Sequence, residues 1–479
     1  MVTVLSITFP LHVEDAQIKY AVIIARRNGK WLFCRHNQRT TLECPGGHRE
    51  EGETPLEAAR RELYEETGAV AYELTEIGPY RVARFGRGSS CGMLYKAEIT
   101  ITETLPQGSE IAETIELDSL PSDWTYPEIQ PFLLKRAYPE CEEICTYRHC
   151  TAAYVMDRQG LVFRDEDAGA IDQLNFSFGL VKDGRVTGSH WRSIDAYKAY
   201  VTRHPHILPV LSVGGWGAGG FSEAASTPEG RTGFVESTLA LLEKHGFLGL
   251  DIDWEYPCSS AAQIASSPKD RENFTLLMEA LRDGLDALTI KDGKHRLLAC
   301  ALGASASLVQ NIECEKIGRI ADQINLMTYD MYRSGFCGHH TALLPSGHAE
   351  YMSAAQAVAD YTAAGLPAEK IMLGCAMYAR VFAHDGQCMP PLFASSPSSG
   401  NETMPYFRIK AETSLTFAMD DAAKAAYAYN KNRFLTFDNP ASITCKLGYV
   451  KSNRLMGLMC WEYGEDNQGE LLRAMHGET

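Results

Sequence analysis

No stretch of this 479-residue chain strings together enough apolar residues to cross a bilayer, which takes roughly 18 or more in a row, so no membrane span is expected. Positive charge is in short supply. Lys and Arg total 45 against 61 Asp and Glu, for a formal net charge of −16 and a pI of about 5.4. That balance argues against nucleic acid or a membrane surface as a partner. Met1 to His12 carry no basic region ahead of their apolar run, so they do not read as a signal peptide, and a cytoplasmic location is the expectation. Cysteine is plentiful at 14 and scattered, and without an export signal a disulfide framework is not expected. Cys300, Cys375 and Cys460 fall inside apolar runs, as reduced buried thiols do. The tightest group, Cys141, Cys145, His149 and Cys150, has the spacing of no standard zinc site.

What is present is an ordinary globular composition, 45% hydrophobic and 22% charged, over a length that suggests two domains. Ala21 to Ala25 and Trp31 to Cys34 read as two short strands around a turn at Arg27-Asn28-Gly29. After Pro45-Gly46-Gly47 a helix is predicted. Thr54 is its N-cap, Pro55 its first residue, Glu57 completes a capping box, and Gly68 ends it after Thr67. On that helix Glu62, Glu65 and Glu66 share one face, with Arg60 and Arg61 alongside. An isolated Glu cluster of this kind is a solvated helix face. Here the spacing around it is specific. From Gly47 there are five residues to Glu53, seven more to Arg61-Glu62-Leu63, then Glu65-Glu66 and Gly68-Ala69, each pair set off by one residue.

That pattern resembles the Nudix box. The resemblance implies an α/β/α sandwich that hydrolyses a nucleoside diphosphate linked to another group. It implies that Glu62, Glu65 and Glu66 bind Mg²⁺ or Mn²⁺, with Glu66 or Glu62 the principal ligand, and carboxylates suit such hard cations. Gly47, Glu53, Arg61 and Gly68 would support the box, Arg61 by pairing with a helix Glu. Glu110 and Glu113 fall in a late loop where some relatives keep a further Glu. A last helix is expected from Trp124-Thr125-Tyr126-Pro127-Glu128, closing a domain over residues 1–138.

From His149 short apolar runs alternate with longer amphipathic ones, the mark of a parallel sheet with crossover helices. Eight strand candidates emerge: Ala152–Met156, Gln173–Phe178, Ile207–Val213, Gly249–Asp253, Arg296–Leu302, Gln323–Tyr329, Lys370–Ala376 and Leu455–Cys460. Eight is the number of a (β/α)₈ TIM barrel, whose chemistry sits at the C-terminal strand ends. The fourth strand runs into Asp251, Asp253 and Glu255, spaced by two and so expected on one face. Neighbouring carboxylates repel, so at least one keeps its proton near neutral pH.

This acidic row resembles the active-site strand of glycoside hydrolase family 18, the chitinases, whose Asp-x-x-Asp-x-Asp-x-Glu pattern maps to Leu248, Asp251, Asp253 and Glu255. Leu248 departs from it at the outermost position. Ser212 to Gly215, Met327 to Asp330, Tyr378 with Arg380, Trp461, and Phe437 to Pro440 with Ser442 resemble further signatures of the family. The resemblance covers residues 149–479 and implies substrate-assisted cleavage of β-1,4 bonds after N-acetylglucosamine, in chitin-type or peptidoglycan-derived oligosaccharides. It implies Glu255 as the acid, Asp253 as the residue holding the acetamido N–H, Asp251 as its proton-sharing neighbour and Tyr329 as the residue positioning the acetamido carbonyl. Trp461, Trp216, Asp330, Tyr378 and Arg380 would contact sugar, and no metal would be needed. Val381 to Leu415, rich in Pro, Ser and Gly, reads as a short insertion that leaves an open groove. His339, His340 and His348 near Cys337 read as loop. A second reading, a sugar-binding barrel without turnover that regulates an active Nudix domain, is disfavoured because such lectins lose the acid.

Overall fold

The computed structural model describes residues 5–10, 12–84, 89–121, 123–139, 149–348 and 351–477. The chain divides into two compact units, one over Leu5–Arg148 and one holding His149–Thr479. Cys141 and Cys145 lie outside the described residues.

In the first unit, seven strands form one sheet: β1 (Leu5–Thr8), β2 (Ile18–Arg27), β3 (Lys30–His36), β4 (Gly46–His48), β5 (Ala69–Arg84), β6 (Ser89–Thr102) and β7 (Ile111–Leu117). Their order is β1-β5-β6-β2-β3-β7, with β4 on β2. β2 and β3 run longer than the predicted pair, and Asn28 and Gly29 at their turn both take positive φ, 53° and 80°. That matches the right-handed strand twist of a two-residue hairpin. Alternation on β2 splits the core. Ala21, Ile23 and Ala25 face α1 (Pro55–Thr67) through Ala58, Ala59 and Leu63. Ile24 packs in a second cluster with Trp124, Leu133 and Leu134, the last two on α2 (Gln130–Ala137). One helix on each face makes the α/β/α sandwich. α1 has the cap, capping box and left-handed Gly68 end predicted for it. α2 starts later than expected: Trp124 makes a strand bridge to Leu42 and packs edge-on against Phe33 instead. Glu113 likewise lies on β7, not in a loop.

In the second unit, eight parallel strands close a barrel: Cys150–Met156, Gln173–Lys182, Leu208–Gly214, Gly249–Asp253, Leu297–Gly303, Gln323–Met327, Ile371–Ala376 and Gly457–Trp461. The first pairs with both the second and the eighth. Their register sets which side chains enter the interior. Ser212 lies beside Asp251 and Asp251 beside Ala299. Ala301 lies beside Asn325. Helices including Pro228–His245, Asp270–Asp292 and Pro440–Ser452 surround the strands. Among the described residues no helix is long and apolar enough to cross a membrane.

The insertion after the seventh strand is larger than predicted. Tyr378–Ala383, Glu402–Pro405, Thr416–Asp420, Ala425–Tyr429 and Arg433–Phe437 form a five-stranded antiparallel sheet, with a short helix over Tyr406–Ala411. The Pro, Ser and Gly that suggested a bare loop fill only the turn between its first two strands. Asp438 and Asn439 follow the sheet, and Asn439 caps the helix Pro440–Ser452 in a capping box with Ser442.

Candidate active sites

At the C-terminal end of the barrel lies a cavity of about 870 Å³, within the range of ligand sites. Asp253, Glu255, Tyr329, Asp330, Tyr378, Arg380, Trp461 and Trp216 all line it. Asp251 does not; it sits beneath, fully buried. Tyr154 and Ser212 each donate to its Oδ2 at 2.8 Å, and Asn325 donates to its Oδ1 at 3.0 Å. Burial raises its pKa, while those three donors oppose the rise. Asp253 is buried with Oδ1 unpartnered. Burial, then the charges of Glu255 and Asp251, hold its pKa well above the usual range.

Glu255 lies two residues past the strand end. Burial pushes its pKa up to about 7, a hydrogen bond with Tyr256 pulls it down, and the Asp330 charge raises it. Asp330 is itself anchored. It accepts from the Tyr378 hydroxyl at 2.9 Å and from Arg380 Nε at 2.6 Å, with Arg380 Nη2 on its other oxygen. Its backbone N–H donates to His340 Nδ1 at 3.3 Å. Burial opposes its charge, but the bonds to His340 and Arg380 win, and its carboxyl stays below the usual range. Burial holds the Tyr329 phenol protonated. The Trp461 ring stacks on Phe178 at 5.5 Å and 20°, and Trp216 is 65% exposed.

Sequence reasoning missed several of these groups. Asn325 sits two before Met327 on an inward-facing period and could have been read as Asp251 was. Tyr256 stood inside the acidic motif. Glu465, from the 3₁₀ turn after the eighth strand, also lines the cavity. His340 had no signal, since only the fold brings it to Asp330. Leu248 lies just before the fourth strand, where its N–H bonds Pro209 O at 2.8 Å, at the far end from the cavity.

The first unit has its own cavity of about 610 Å³. Glu62 and Glu66 line it with Glu43 and Glu110. Arg61 donates to both oxygens of Glu53 at 2.7 and 3.0 Å, to Glu62 at 2.9 Å and to Glu65 at 3.1 Å. Its bonds to Glu53 are the first cause holding that carboxyl down at about 2. Burial raises Glu62, and it pushes Glu66 up to about 8 against the Gly46 N–H donated at 2.8 Å. Glu65 is exposed and accepts from Arg61, outside the cavity lining. Among the described residues no three acidic, His or Cys side chains meet as a ready metal site. Glu113 instead pairs with Arg35. A Cβ at Gly47 would lie 2.3 Å from the Glu62 carboxylate and displace it. Gly68, at φ 69°, meets Glu103 O the same way.

The two units define a pair of hydrolase folds on one chain. The family model for glycosyl hydrolases family 18 matches residues 149–466 and that for the NUDIX domain matches residues 16–135. The chain belongs to glycosyl hydrolases family 18 and carries a Nudix domain ahead of the barrel. It is 34% identical over 292 residues to Chitinase A1 of Niallia circulans, covering 56% of this chain and 42% of that one. It is 32% identical over 337 residues to Endochitinase 1 of Metarhizium robertsii, covering 64% of this chain and 78% of that one. A glycoside hydrolase family 18 N-acetylglucosaminidase from Paenibacillus barengoltzii superposes with a TM-score of 0.67 at 36% identity, over 69% of this chain and 100% of that one. This chain thus spans less than half of the first relative and all of the solved one.

Proposed function

We propose that the barrel hydrolyses β-1,4 bonds after N-acetylglucosamine in chitin-type or peptidoglycan-derived oligosaccharides, with retention and with the substrate's own acetamido group as nucleophile. The observation that carries this is Glu255, a carboxyl brought to about 7, in one cavity with the buried Asp253, whose Oδ1 has no hydrogen-bond donor. A group near neutrality can both give and take a proton. The acetamido oxygen bonds to the anomeric carbon as the glycosidic bond breaks, and Glu255 protonates the leaving oxygen. Asp253 accepts the acetamido N–H and steadies the resulting oxazolinium. Glu255 then takes a proton from the water that opens the ring. Tyr329 hydrogen-bonds the acetamido carbonyl and holds it near the anomeric carbon. Trp461 is the floor under the reacting sugar, Asp251 acts on Asp253 through its field, and Trp216, Tyr378, Arg380 and Asp330 shape the walls.

The Nudix unit, on the same proposal, hydrolyses the pyrophosphate of a nucleoside diphosphate derivative. Glu62 and Glu66 line one cavity with Glu43, burial raises both carboxyls, and a hard divalent ion seated there would favour their ionised form. Together with Glu65 they would hold Mg²⁺ or Mn²⁺, which supplies charge neutralisation and water activation when bound. Arg61 orients Glu62 and is itself fixed by Glu53.

The test is fluorophore release from N-acetylglucosamine dimer and trimer glycosides, with a chelator present, by the whole chain and by Glu255→Gln. Release that survives the chelator and vanishes in the variant is expected. Binding of the oligomers without release would replace this reading with a lectin.

A further inference from the structure

The sugar cavity is lopsided in charge. Four carboxyl groups line it: Asp253, Glu255, Asp330 and Glu465. Among its described lining residues Arg380 is the one cation, and it is committed. Its Nε and Nη2 hold Asp330, and its Nη1 lies 3.5 Å from the Gly400 and Asn401 carbonyls. A substrate carboxylate would find acids and no free cation to receive it.

Of the four acids, Glu465 is the one without a task in the proposed reaction. Its neighbour Glu462 is engaged. Arg158 pairs with Glu462 at 3.1 Å, and the Met156 and Gly464 N–H groups donate to its Oε2 at 3.4 and 3.1 Å. The short turn between them then presents Glu465 to the cavity, four residues after the Trp461 floor and within electrostatic reach of Tyr378.

We propose that Glu465 is a specificity-determining residue that receives the ammonium of an unacetylated glucosamine unit beside the sugar on Trp461. The barrel on this view prefers partly de-N-acetylated chitin-type oligomers and disfavours sugars bearing a carboxylate, peptidoglycan fragments with muramic acid among them. Burial, then the nearby Glu462 charge, push the Glu465 carboxyl up to about 8, against a smaller downward pull from Arg158, whose guanidinium is paired with Glu462. An ammonium seated against Glu465 favours the ionised form, so the proton leaves as the ligand binds and a charge-assisted hydrogen bond replaces it. The inference rests on the glycosidase reading above, because the reacting sugar itself must keep its acetamido group.

The test separates the two. Calorimetry on the full-length Glu255→Gln protein at low salt compares three trimers: fully acetylated, carrying one terminal glucosamine, and carrying one N-acetylmuramic acid. The glucosamine trimer is expected to bind about tenfold tighter than the acetylated one, the gain of one charge-assisted bond, and the muramic trimer weaker than both. Adding Glu465→Gln should abolish the glucosamine preference while leaving the acetylated trimer within about twofold. Glu465→Ala should do the same, with an unchanged unfolding midpoint as the check on folding. Equal affinities in the Glu255→Gln background, or a preference that survives loss of Glu465, overturns the assignment even where the wild type cleaves acetylated glycosides. If the wild type neither cleaves nor binds any of the three trimers, the glycosidase reading falls and this inference falls with it.

Discussion

Replacing Tyr256 with Phe should make the barrel work at higher pH. Of the influences on Glu255, the hydrogen bond with Tyr256 is the one that lowers its pKa, against burial and Asp330, which raise it. Phe keeps the ring that packs near Trp216 and removes only the hydroxyl. A hydrogen bond to a charged group contributes about 1.5–3 kcal/mol, and one pKa unit is about 1.4 kcal/mol, so the carboxyl should rise by about one unit, from about 7 to near 8. A general acid works protonated, so activity is present below its pKa and lost as pH rises through it. At pH 8 the protonated fraction goes from about a tenth to about a half, and kcat/KM should rise about fivefold. The assay is kcat/KM for the dimer glycoside across pH 5 to 9, for wild type and Tyr256→Phe, with the alkaline limb as readout. A limb that stays put, or moves to lower pH, refutes both the assignment of Glu255 as acid and the role of Tyr256 in tuning it.

Three further outcomes are expected. Lys446 is fully buried, donating to Asp438 at 2.7 Å, Thr341 at 2.6 Å and Gly374 O at 3.0 Å. Lys446→Met should therefore destabilise the barrel by about 3–5 kcal/mol by leaving the buried Asp438 without its cation; urea midpoints decide, and a loss under about 1 kcal/mol would contradict the account. Gly47→Ala should push the Glu62 carboxylate away and cut Mg²⁺-dependent nucleotide hydrolysis about tenfold or more, leaving N-acetylglucosaminide release unchanged; equal losses in both assays would point to misfolding instead. Trp461→Ala should raise KM for the trimer glycoside about tenfold, and an unaltered KM would remove Trp461 from the sugar floor.

Legibility in the sequence followed the reach of each interaction. The helix α1 could be bounded because its cap, its first-turn proline and its terminal glycine act within a few residues. The eight barrel strands could be found because each is a short apolar run between amphipathic stretches, and the period of two along the fourth strand placed Asp251 and Asp253 on the inner face. What could not be read depends on distant pairings. The insertion sheet joins strands up to about sixty residues apart, and its polar turn hid the first of them. His340 reaches Asp330 only through the loop that returns after the sixth strand. Glu65 shares a helix face with Glu62 and Glu66, yet Arg61, one turn earlier, competes for it, and periodicity is blind to such competition. Asp251 shows the same limit in the barrel, since its donors arrive from the first, third and sixth strands.

The tether at Asp330 has a consequence for how the groove and the chemistry communicate. Tyr378 and Arg380 both belong to the first strand of the insertion sheet, so the bonds that fasten this wall to the sixth strand are also the bonds that offset the charge of Asp330. Lifting the wall would leave that charge bare. A bare charge there strengthens the grip of Glu255 on its proton, because Asp330 already acts on it in that direction. Under the proposed reaction, a ligand that loosened this wall would raise the pKa of Glu255 without touching it, and one that tightened it would lower it.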